Sequence, residues 1–216
     1  MNQECYTKSS VFLFMEIKIL AQKFYDYSSY IRGYSKPTLK RYRQVINYFC
    51  AHAKVEQIEE VSPDNVRGLF YEGRIERHWT PNTFICYLKS LLVFFRWCQK
   101  EGYMKTNPAE DIEKPKIEKR LPVKLTRQDA DKLLEVAYNY PYDHKFLRYR
   151  NHAIFATFLM AGIRKKELLN LKFADVDVEN LSVFIRQGKG SKDRIVPICY
   201  KLAGNFKEVF RRKKTA

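Results

Sequence analysis

Residues 161–197 contain two cationic side chains at positions that are predicted to be rigid. Arg164 follows a glycine turn and begins a predicted helix, and Lys189 lies in the GKGSKDR tip of a predicted β-hairpin. A guanidinium can donate to two oxygens of one phosphate, and a lysine adds a compact positive charge. The two residues therefore predict a site that binds a phosphate group.

Three further residues accompany this pair. Glu167 lies three residues after Arg164, on the same helical face, and is predicted to orient the arginine. Lys192 and Arg194 follow the lysine in the hairpin and are interpreted as contacts to a phosphate backbone, or as bystanders. The alternatives are a surface salt bridge for Arg164 and a solvated hairpin tip for Lys189.

The composition favours a polyanionic partner. Lys and Arg outnumber Asp and Glu by 40 to 24 in the 216 residues, which gives a net charge of +16 and a pI near 9.6. The excess is greatest in residues 117–216, where 22 basic and 11 acidic groups give +11. Such a charge predicts salt-sensitive binding to nucleic acid, with a merely solvated basic surface as the alternative. An apolar fraction of 45% permits ordinary cores, so a disordered basic tail is not expected.

Cysteine and hydrophobic patterns disfavour other classes of protein. The five cysteines are scattered without a CxxC or Cys/His spacing, so reduced thiols and no metal or other cofactor are expected. The apolar run at 11–20 is short and interrupted by charges, so neither a secretory signal nor a membrane span is predicted. The chain is expected to be cytoplasmic, without a small-molecule substrate, and residues 1–14 are expected to form an irregular extension.

The first half of the chain is predicted to be helical. Apolar residues at helical spacing predict four helices between residues 15 and 102, and Ser62 and Thr80 each precede a proline as predicted N-caps. Gly33 and Gly102 are expected to end the first and fourth helices. Four helices with short joints form a small bundle.

Two polar faces of this bundle are candidates for DNA contact, with a solvated face as the alternative for each. They comprise Lys36, Lys40 and Arg43 on the second helix, and Thr80, Asn82, Thr83 and Lys89 around the start of the fourth.

The second half follows a stretch, residues 103–124, with three prolines among many charges, which predicts an extended and exposed linker. Thr126 and Asp129 then predict a capped helix. A largely apolar, central helix is expected from about residue 150 to residue 160, and another from residue 165 to residue 171.

This order of features resembles the tyrosine recombinase, or phage integrase, family, with an Xer-like pattern. The resemblance is carried by AGIRKKELLNLKFADVD, by the hairpin SVFIRQGKGSKDRIVPI, and by the helical stretches YSKPTLKRYRQVINYF and TPNTFICYLKSLLVFFRWCQKEGYMKTNPAEDI. It covers about residues 15–216. It implies a mainly α fold, with a four-helix SAM-like core-binding bundle at 15–102 and a linker at 103–124. Residues 125–216 would form the N-terminal half of a mixed α+β catalytic domain with a small antiparallel β-hairpin or sheet.

The resemblance also implies a chemistry: a tyrosine attacks a DNA phosphate, leaving a 3′-phosphotyrosyl link and a free 5′-hydroxyl. Arg164 would stabilise charge on the non-bridging oxygens, with Glu167 in support. Lys189, made less basic by neighbouring cations, would protonate the leaving oxygen. The partners implied are double-stranded DNA and full-length recombinase protomers on that DNA, and nucleoid association would follow from DNA binding.

The rest of the family's site has no counterpart in these 216 residues. None of the four histidines has an arginine three residues later, and Tyr200, the only tyrosine after Lys189, comes too early to be assigned as the nucleophile. We therefore expect a C-terminally truncated member of a recombination or integration system that does not cleave DNA, is monomeric off DNA, and leaves apolar surface uncovered. One alternative is a catalytically dead module that occupies recombination sites or regulates a full-length recombinase. Another is an unrelated basic DNA- or RNA-binding regulator.

Overall fold

A computed structural model describes residues 15–118, 121, 123–186, 188 and 192–213. The chain divides after Arg120 into two compact units. The described residues are mostly helical, with a small three-stranded antiparallel sheet in the second unit. This is the mainly α fold class that the sequence predicts. The extension predicted for residues 1–14 lies outside the described residues.

Over residues 15–118, the first unit is built from four α-helices. They are α1 (Ile17–Asp26), α2 (Lys36–Ala53), α3 (Pro63–Ile75) and α4 (Pro81–Lys100). The predicted caps are confirmed: the Ser62 hydroxyl accepts a hydrogen bond from the backbone N–H of Asn65, and the Thr80 hydroxyl accepts one from Thr83, each at 3.2 Å. A side-chain oxygen at this position satisfies an amide that has no partner within the helix.

Aromatic rings from three helices fill the first core. Phe24 of α1 packs against Tyr42 of α2 and Phe94 of α4, with ring centroids 5.3 and 5.4 Å apart. Two apolar residues at helical spacing in the first helix, Ile19 and Tyr30, are nonetheless 49% and 82% exposed. Tyr30 lies in a π-helical segment, Tyr27–Ile31, which continues α1 and whose wider turn changes which face points inward.

The segment after α4 packs against the first unit. Ala109 and Asn107 are buried, and the Asn107 amide donates to the carbonyl of Leu92 at 3.3 Å. Tyr103 and Ile112 also contact the first core. The exposed linker expected from residue 103 therefore does not begin until after Ile112, because apolar contacts hold the proline-containing stretch in place.

Among its described residues, the second unit contains four α-helices and three strands. They are α5 (Arg127–Asn139), α6 (Lys145–Ala161), α7 (Lys165–Leu169), β1 (Val176–Asp177), β2 (Ser182–Ile185), β3 (Arg194–Pro197) and α8 (Tyr200–Lys213). The predicted capping box of α5 is present, with the Thr126 hydroxyl accepting from the Asp129 amide at 3.1 Å. Helix α6 begins five residues earlier than expected, after His144, which provides no side-chain cap and so left no signal in the sequence.

The predicted hairpin is formed by β2 and β3, which pair antiparallel with Ile185 opposite Arg194. Strand β1 adds to the other edge of β2 and was not predicted, because two residues are too short to show an alternating pattern. Val183 and Ile185 point into a core that includes Leu202 of α8. The hairpin is therefore fixed to the helical layer by its inward face.

Candidate phosphate-binding site

A left-handed glycine brings the chain from α6 into the arginine position. Gly162 ends α6 with φ +59°, and Ile163 is buried in the second core. Arg164 follows as the N-cap residue of α7, and its side chain is 59% exposed. The backbone at Arg164 is thus anchored on both sides, while its guanidinium is open to an anion from solvent.

Glu167 is a buried carboxylate that holds this arginine. Its side chain is 6% exposed, and its Oε1 accepts from Arg164 Nη1 at 3.0 Å. Its Oε2 accepts from the backbone N–H of Arg164 at 3.0 Å, which closes the start of α7 as a capping box. The contact that the i+3 spacing predicts is therefore present, and it fixes both the main chain and the side chain of Arg164.

Arg194 of β3 binds the same carboxylate from 27 residues away. Its Nη1 donates to Glu167 Oε1 at 2.9 Å and its Nη2 donates to Oε2 at 2.7 Å. This fork matches the geometry of a carboxylate, which explains why the arginine faces inward. Arg194 was interpreted as a contact to a phosphate backbone or as a bystander, and the structure gives its two terminal nitrogens a protein partner.

The cations around Glu167 change its acidity. The hydrogen bond from Arg194, followed by those from the backbone and side chain of Arg164, lowers the pKa of Glu167 to about 2 against the opposing effect of burial. The same interaction raises the pKa of Arg194. The carboxylate therefore remains ionised across the physiological pH range. The ion pair of Arg194 with Glu167, which we call the first clamp, joins β3 to α7 and remains charged.

Gly188 lies against this clamp. A Cβ atom at residue 188 would be 2.8 Å from Arg194 Nη1, 2.9 Å from the Lys192 carbonyl and 3.2 Å from Glu167 Oε1. The Gly188 amide also donates to that Lys192 carbonyl at 3.0 Å. The backbone before the hairpin tip approaches so closely that only glycine fits without displacement.

A second clamp of the same design fixes the other arm of the hairpin. Asp175 is buried, accepts from the backbone N–H of Lys172 at 3.1 Å, and accepts from Arg186 Nε at 2.7 Å. The Arg186 hydrogen bond lowers the pKa of Asp175. Each arm of the hairpin therefore carries an arginine that binds a buried acid: Arg194 binds Glu167, and Arg186 binds Asp175. Each acid lies three residues after the N-cap residue of a short helix.

The pairing of Arg194 with Glu167 and of Arg186 with Asp175 was not predicted from the sequence, although the two acids leave a signal there. Glu167 and Asp175 both stand at capping-box spacing, three residues after Arg164 and Lys172. An acid buried at such a position requires a cation, and the hairpin supplies two arginines that flank its tip.

The remaining residues predicted in the hairpin are placed only in part. Lys189 lies outside the described residues. The Lys192 side chain is exposed, and only its main chain takes part in the packing of Gly188. Tyr200 begins α8 and is 83% exposed.

The first unit carries the other predicted DNA contacts. Lys36, Lys40 and Arg43 are exposed on α2, and the Arg43 guanidinium lies 5.1 Å from the centre of the Tyr25 ring. At the start of α4, the hydroxyls of Thr80 and Thr83 lie 3.0 Å apart and serve the cap. Asn82 and Lys89 are exposed on the same helix.

Within the residues that the structure describes, no group of three or more His, Cys, Asp and Glu side chains could hold a metal ion. Over the same part of the chain, none of the helices combines the length and the hydropathy that crossing a bilayer requires.

Comparison with known proteins identifies the class of this architecture. Residues 20–104 match the model of the phage integrase N-terminal SAM-like domain, and residues 124–216 match the model of the phage integrase family. The chain belongs to the phage integrase family of tyrosine recombinases.

Xer recombinases are among its relatives. The chain is 38% identical over 167 residues to tyrosine recombinase XerC of Thermodesulfovibrio yellowstonii, covering 77% of this chain and 53% of that protein. It is 32% identical over 179 residues to tyrosine recombinase XerD of Chlamydia pneumoniae, covering 83% and 58% respectively. The chain therefore spans little more than half the length of these relatives.

Solved structures share the fold. The Tn1549 transposon integrase in complex with transposon right end DNA matches with a TM-score of 0.71 at 16% identity, covering 94% of this chain and 67% of that one. A lambda integrase tetramer bound to a Holliday junction matches with a TM-score of 0.69 at 19% identity, covering 94% and 55%.

Proposed function

We propose that this chain binds double-stranded DNA in site-specific recombination or integration of the tyrosine recombinase type. Residues 15–102 form its core-binding domain, and residues 125–216 carry the first arginine and the hairpin lysine of a phosphate site. Its family membership and its net charge of +16 both support this function. Its place of action would be the cytoplasm, at the nucleoid, with full-length recombinase protomers as further partners on DNA.

The observation that carries the proposal is the shared carboxylate. Glu167 accepts hydrogen bonds from Arg164 at the start of α7 and from Arg194 on the hairpin, so one buried group links the two elements. A phosphate site made from two separate elements needs such a link, because misplacement by about 1 Å can cost ~100-fold in rate.

The roles follow from the chemistry of each group. Arg164, exposed but anchored, would donate to the non-bridging oxygens of a backbone phosphate, where negative charge develops during cleavage. Lys189 would protonate the leaving 5′-oxygen, because nearby cations favour its neutral form and so make it a stronger acid. Glu167 would hold Arg164 in place without contacting the phosphate.

These residues alone do not make a strand-cleaving enzyme. The 216 residues contain no His-x-x-Arg, and no tyrosine that we assign as nucleophile. Covalent catalysis needs the attacking group itself, so its loss removes the reaction and not merely part of its rate. This incomplete set favours the second candidate function, a DNA-binding module that occupies recombination sites or regulates a full-length recombinase.

A nicked suicide substrate tests the proposal. After strand cleavage on such a duplex the short product diffuses away, so a covalent adduct accumulates. We expect the chain to shift the duplex in a native gel and to leave no protein–DNA band that survives denaturing detergent. A detergent-resistant band would contradict the predicted lack of cleavage, and failure to shift the duplex would contradict the DNA-binding role.

A further inference from the structure

We propose that Arg194 is a positioning residue that acts through Glu167 to set the place of the Arg164 guanidinium, and that it also restricts the backbone at Gly188. This inference rests on the proposed function. The sequence suggests a phosphate contact or a bystander at Arg194, and the inference gives it an indirect role inside the protein.

The first support is the way the Glu167 oxygens are shared. Oε1 accepts from Arg164 Nη1 and from Arg194 Nη1, while Oε2 accepts from the Arg164 backbone and from Arg194 Nη2. All four hydrogen bonds are between 2.7 and 3.0 Å. The orientation of this carboxylate therefore depends on Arg194, and the position of Arg164 depends on the carboxylate.

The second support is burial. The Glu167 side chain is 6% exposed and that of Arg194 is 36% exposed, whereas that of Arg164 is 59% exposed. A phosphate arriving from solvent would therefore meet Arg164 more readily than Arg194. Turning Arg194 outward would leave a buried carboxylate without its principal partner, which is strongly unfavourable.

The third support is the contact with Gly188. The backbone at Gly188 packs against Arg194 Nη1 so closely that a Cβ there would lie 2.8 Å from it. The guanidinium thus lies beside the backbone of Gly188 as well as the carboxylate that holds Arg164. A single side chain on β3 therefore meets both the hairpin backbone at Gly188 and the group that positions Arg164.

The test is a double-mutant cycle on DNA affinity. Equilibrium binding of a double-stranded oligonucleotide is measured at several salt concentrations for wild type, Arg164→Ala, Arg194→Met and the double variant. In the wild-type background, Arg164→Ala should weaken binding about tenfold, the scale of one lost charge-assisted hydrogen bond. If Arg194 positions Arg164, the same substitution in the Arg194→Met background should weaken binding less than about twofold.

Additive effects would overturn the inference. If Arg194 contacts a phosphate directly, each substitution should make the negative slope of log K against log salt shallower by about 0.9, and the double variant should make it shallower by about 1.8. If Arg164→Ala has no effect in the wild type, the proposed phosphate site fails instead, so the two failures are distinguishable.

A matched control and a charge-neutral variant sharpen the result. Arg186→Met removes the arginine of the second clamp, on Asp175, and should combine additively with Arg164→Ala. Gly188→Ala removes no charge but pushes on Arg194, so it should weaken the effect of Arg164→Ala as Arg194→Met does. If Arg194→Met does not fold, Arg194→Lys replaces it in the cycle, because lysine keeps the charge and loses the fork.

The pKa of Glu167, measured in the absence of DNA, tests the same inference independently of the double-mutant cycle. Carboxyl NMR should show the pKa of Glu167 near 2 in the wild type, raised toward the ordinary glutamate value of ~4.3 in Arg194→Met, and unchanged in Arg186→Met. A Glu167 pKa that does not respond to Arg194→Met would show that the clamp is absent in solution and would overturn the inference.

Discussion

At the scale of single residues, Glu167 carries more of the second unit's organisation than either arginine it binds. It is a carboxylate that is nevertheless buried, and it accepts four hydrogen bonds. The i+3 spacing predicts its contact with Arg164. The capping-box spacing indicates that Glu167 could be a buried acid in need of a cation, but it does not indicate that Arg194 supplies the cation, because that contact depends on how a hairpin 27 residues away folds back on α7.

Neutralising Glu167 should destabilise the second unit. Glu167→Gln removes the charge that two arginines require, and we expect a loss of about 2 kcal/mol in the free energy of unfolding. Denaturant unfolding followed through the amide signals of β2 and β3 measures it. Glu179→Gln is the matched control, because Glu179 is 78% exposed in its pair with Lys207 and should contribute less than about 0.5 kcal/mol. Equal losses in the two variants would contradict the account of the clamp.

The same residue predicts how stability depends on pH. The folded-state pKa of Glu167 lies near 2, below the ordinary glutamate value of ~4.3. Its contribution is therefore fully present above about pH 4.3 and is lost as the pH falls toward 2. Asp175, whose pKa is also lowered by its arginine, adds acid sensitivity of the same sign. Unfolding measured between pH 2 and 5 should show a shallower decline for Glu167→Gln than for wild type, and parallel curves would contradict this.

At the scale of elements, the helix starts that carry a hydroxyl cap are predictable, whereas the uncapped start of α6 is not. Ser62, Thr80 and Thr126 each supply a hydroxyl cap that the sequence reveals, because the cap is a local interaction. The π-helical end of the first helix and the strand β1 are set by packing and pairing with distant residues. Neither leaves a periodic pattern in the sequence.

The cap of α5 gives a second prediction of stability. Thr126→Ala should lower the free energy of unfolding of the second unit by about 1 kcal/mol, because the Asp129 amide loses its acceptor. Thr126→Ser keeps the hydroxyl and should retain most of that stability. Hydrogen exchange at the first turn of α5 reports the difference, and indistinguishable exchange in the two variants would show that the cap contributes nothing.

The basic face of α2 gives a prediction about DNA. Lys36, Lys40 and Arg43 recur at spacings of four and three on exposed positions, as one helical face requires. Lys40→Gln should make the negative slope of log K against log salt shallower by about 0.9 if the face contacts phosphates. Arg67→Gln, which removes an exposed charge already paired with Asp64 on α3, is the control and should change the slope less. Equal slopes for wild type and Lys40→Gln would contradict a DNA contact at this residue.

At the scale of the whole molecule, the second unit leaves apolar side chains at its surface, as the sequence led us to expect. Helix α6 is apolar enough to predict a central position, yet Phe155, Phe158 and Leu159 are each exposed by more than a third. A cavity of about 440 Å³ lies between α6, α7 and α8, lined by apolar side chains that include Leu169, Phe173 and Phe210. Apolar surface of this kind promotes self-association.

A substitution at this surface should separate solubility from stability. Leu169 is 67% exposed, so Leu169→Gln should reduce self-association, measured by light scattering against concentration, with little effect on unfolding. Leu168 packs against the second core, and Leu168→Gln should instead lower the free energy of unfolding by about 2 kcal/mol. Unchanged scattering in Leu169→Gln would show that this surface does not drive association.

The central claim is that the chain binds DNA through its phosphates, and its most direct test is affinity measured across salt concentration. Equilibrium binding of the whole chain to a duplex should fall steeply and linearly when log K is plotted against log salt, because each neutralised phosphate releases a counterion. Such a decline is the predicted result for a chain of net charge +16 that presents Arg164 at its surface. An affinity that does not change with salt, or no binding at low salt, would contradict the account.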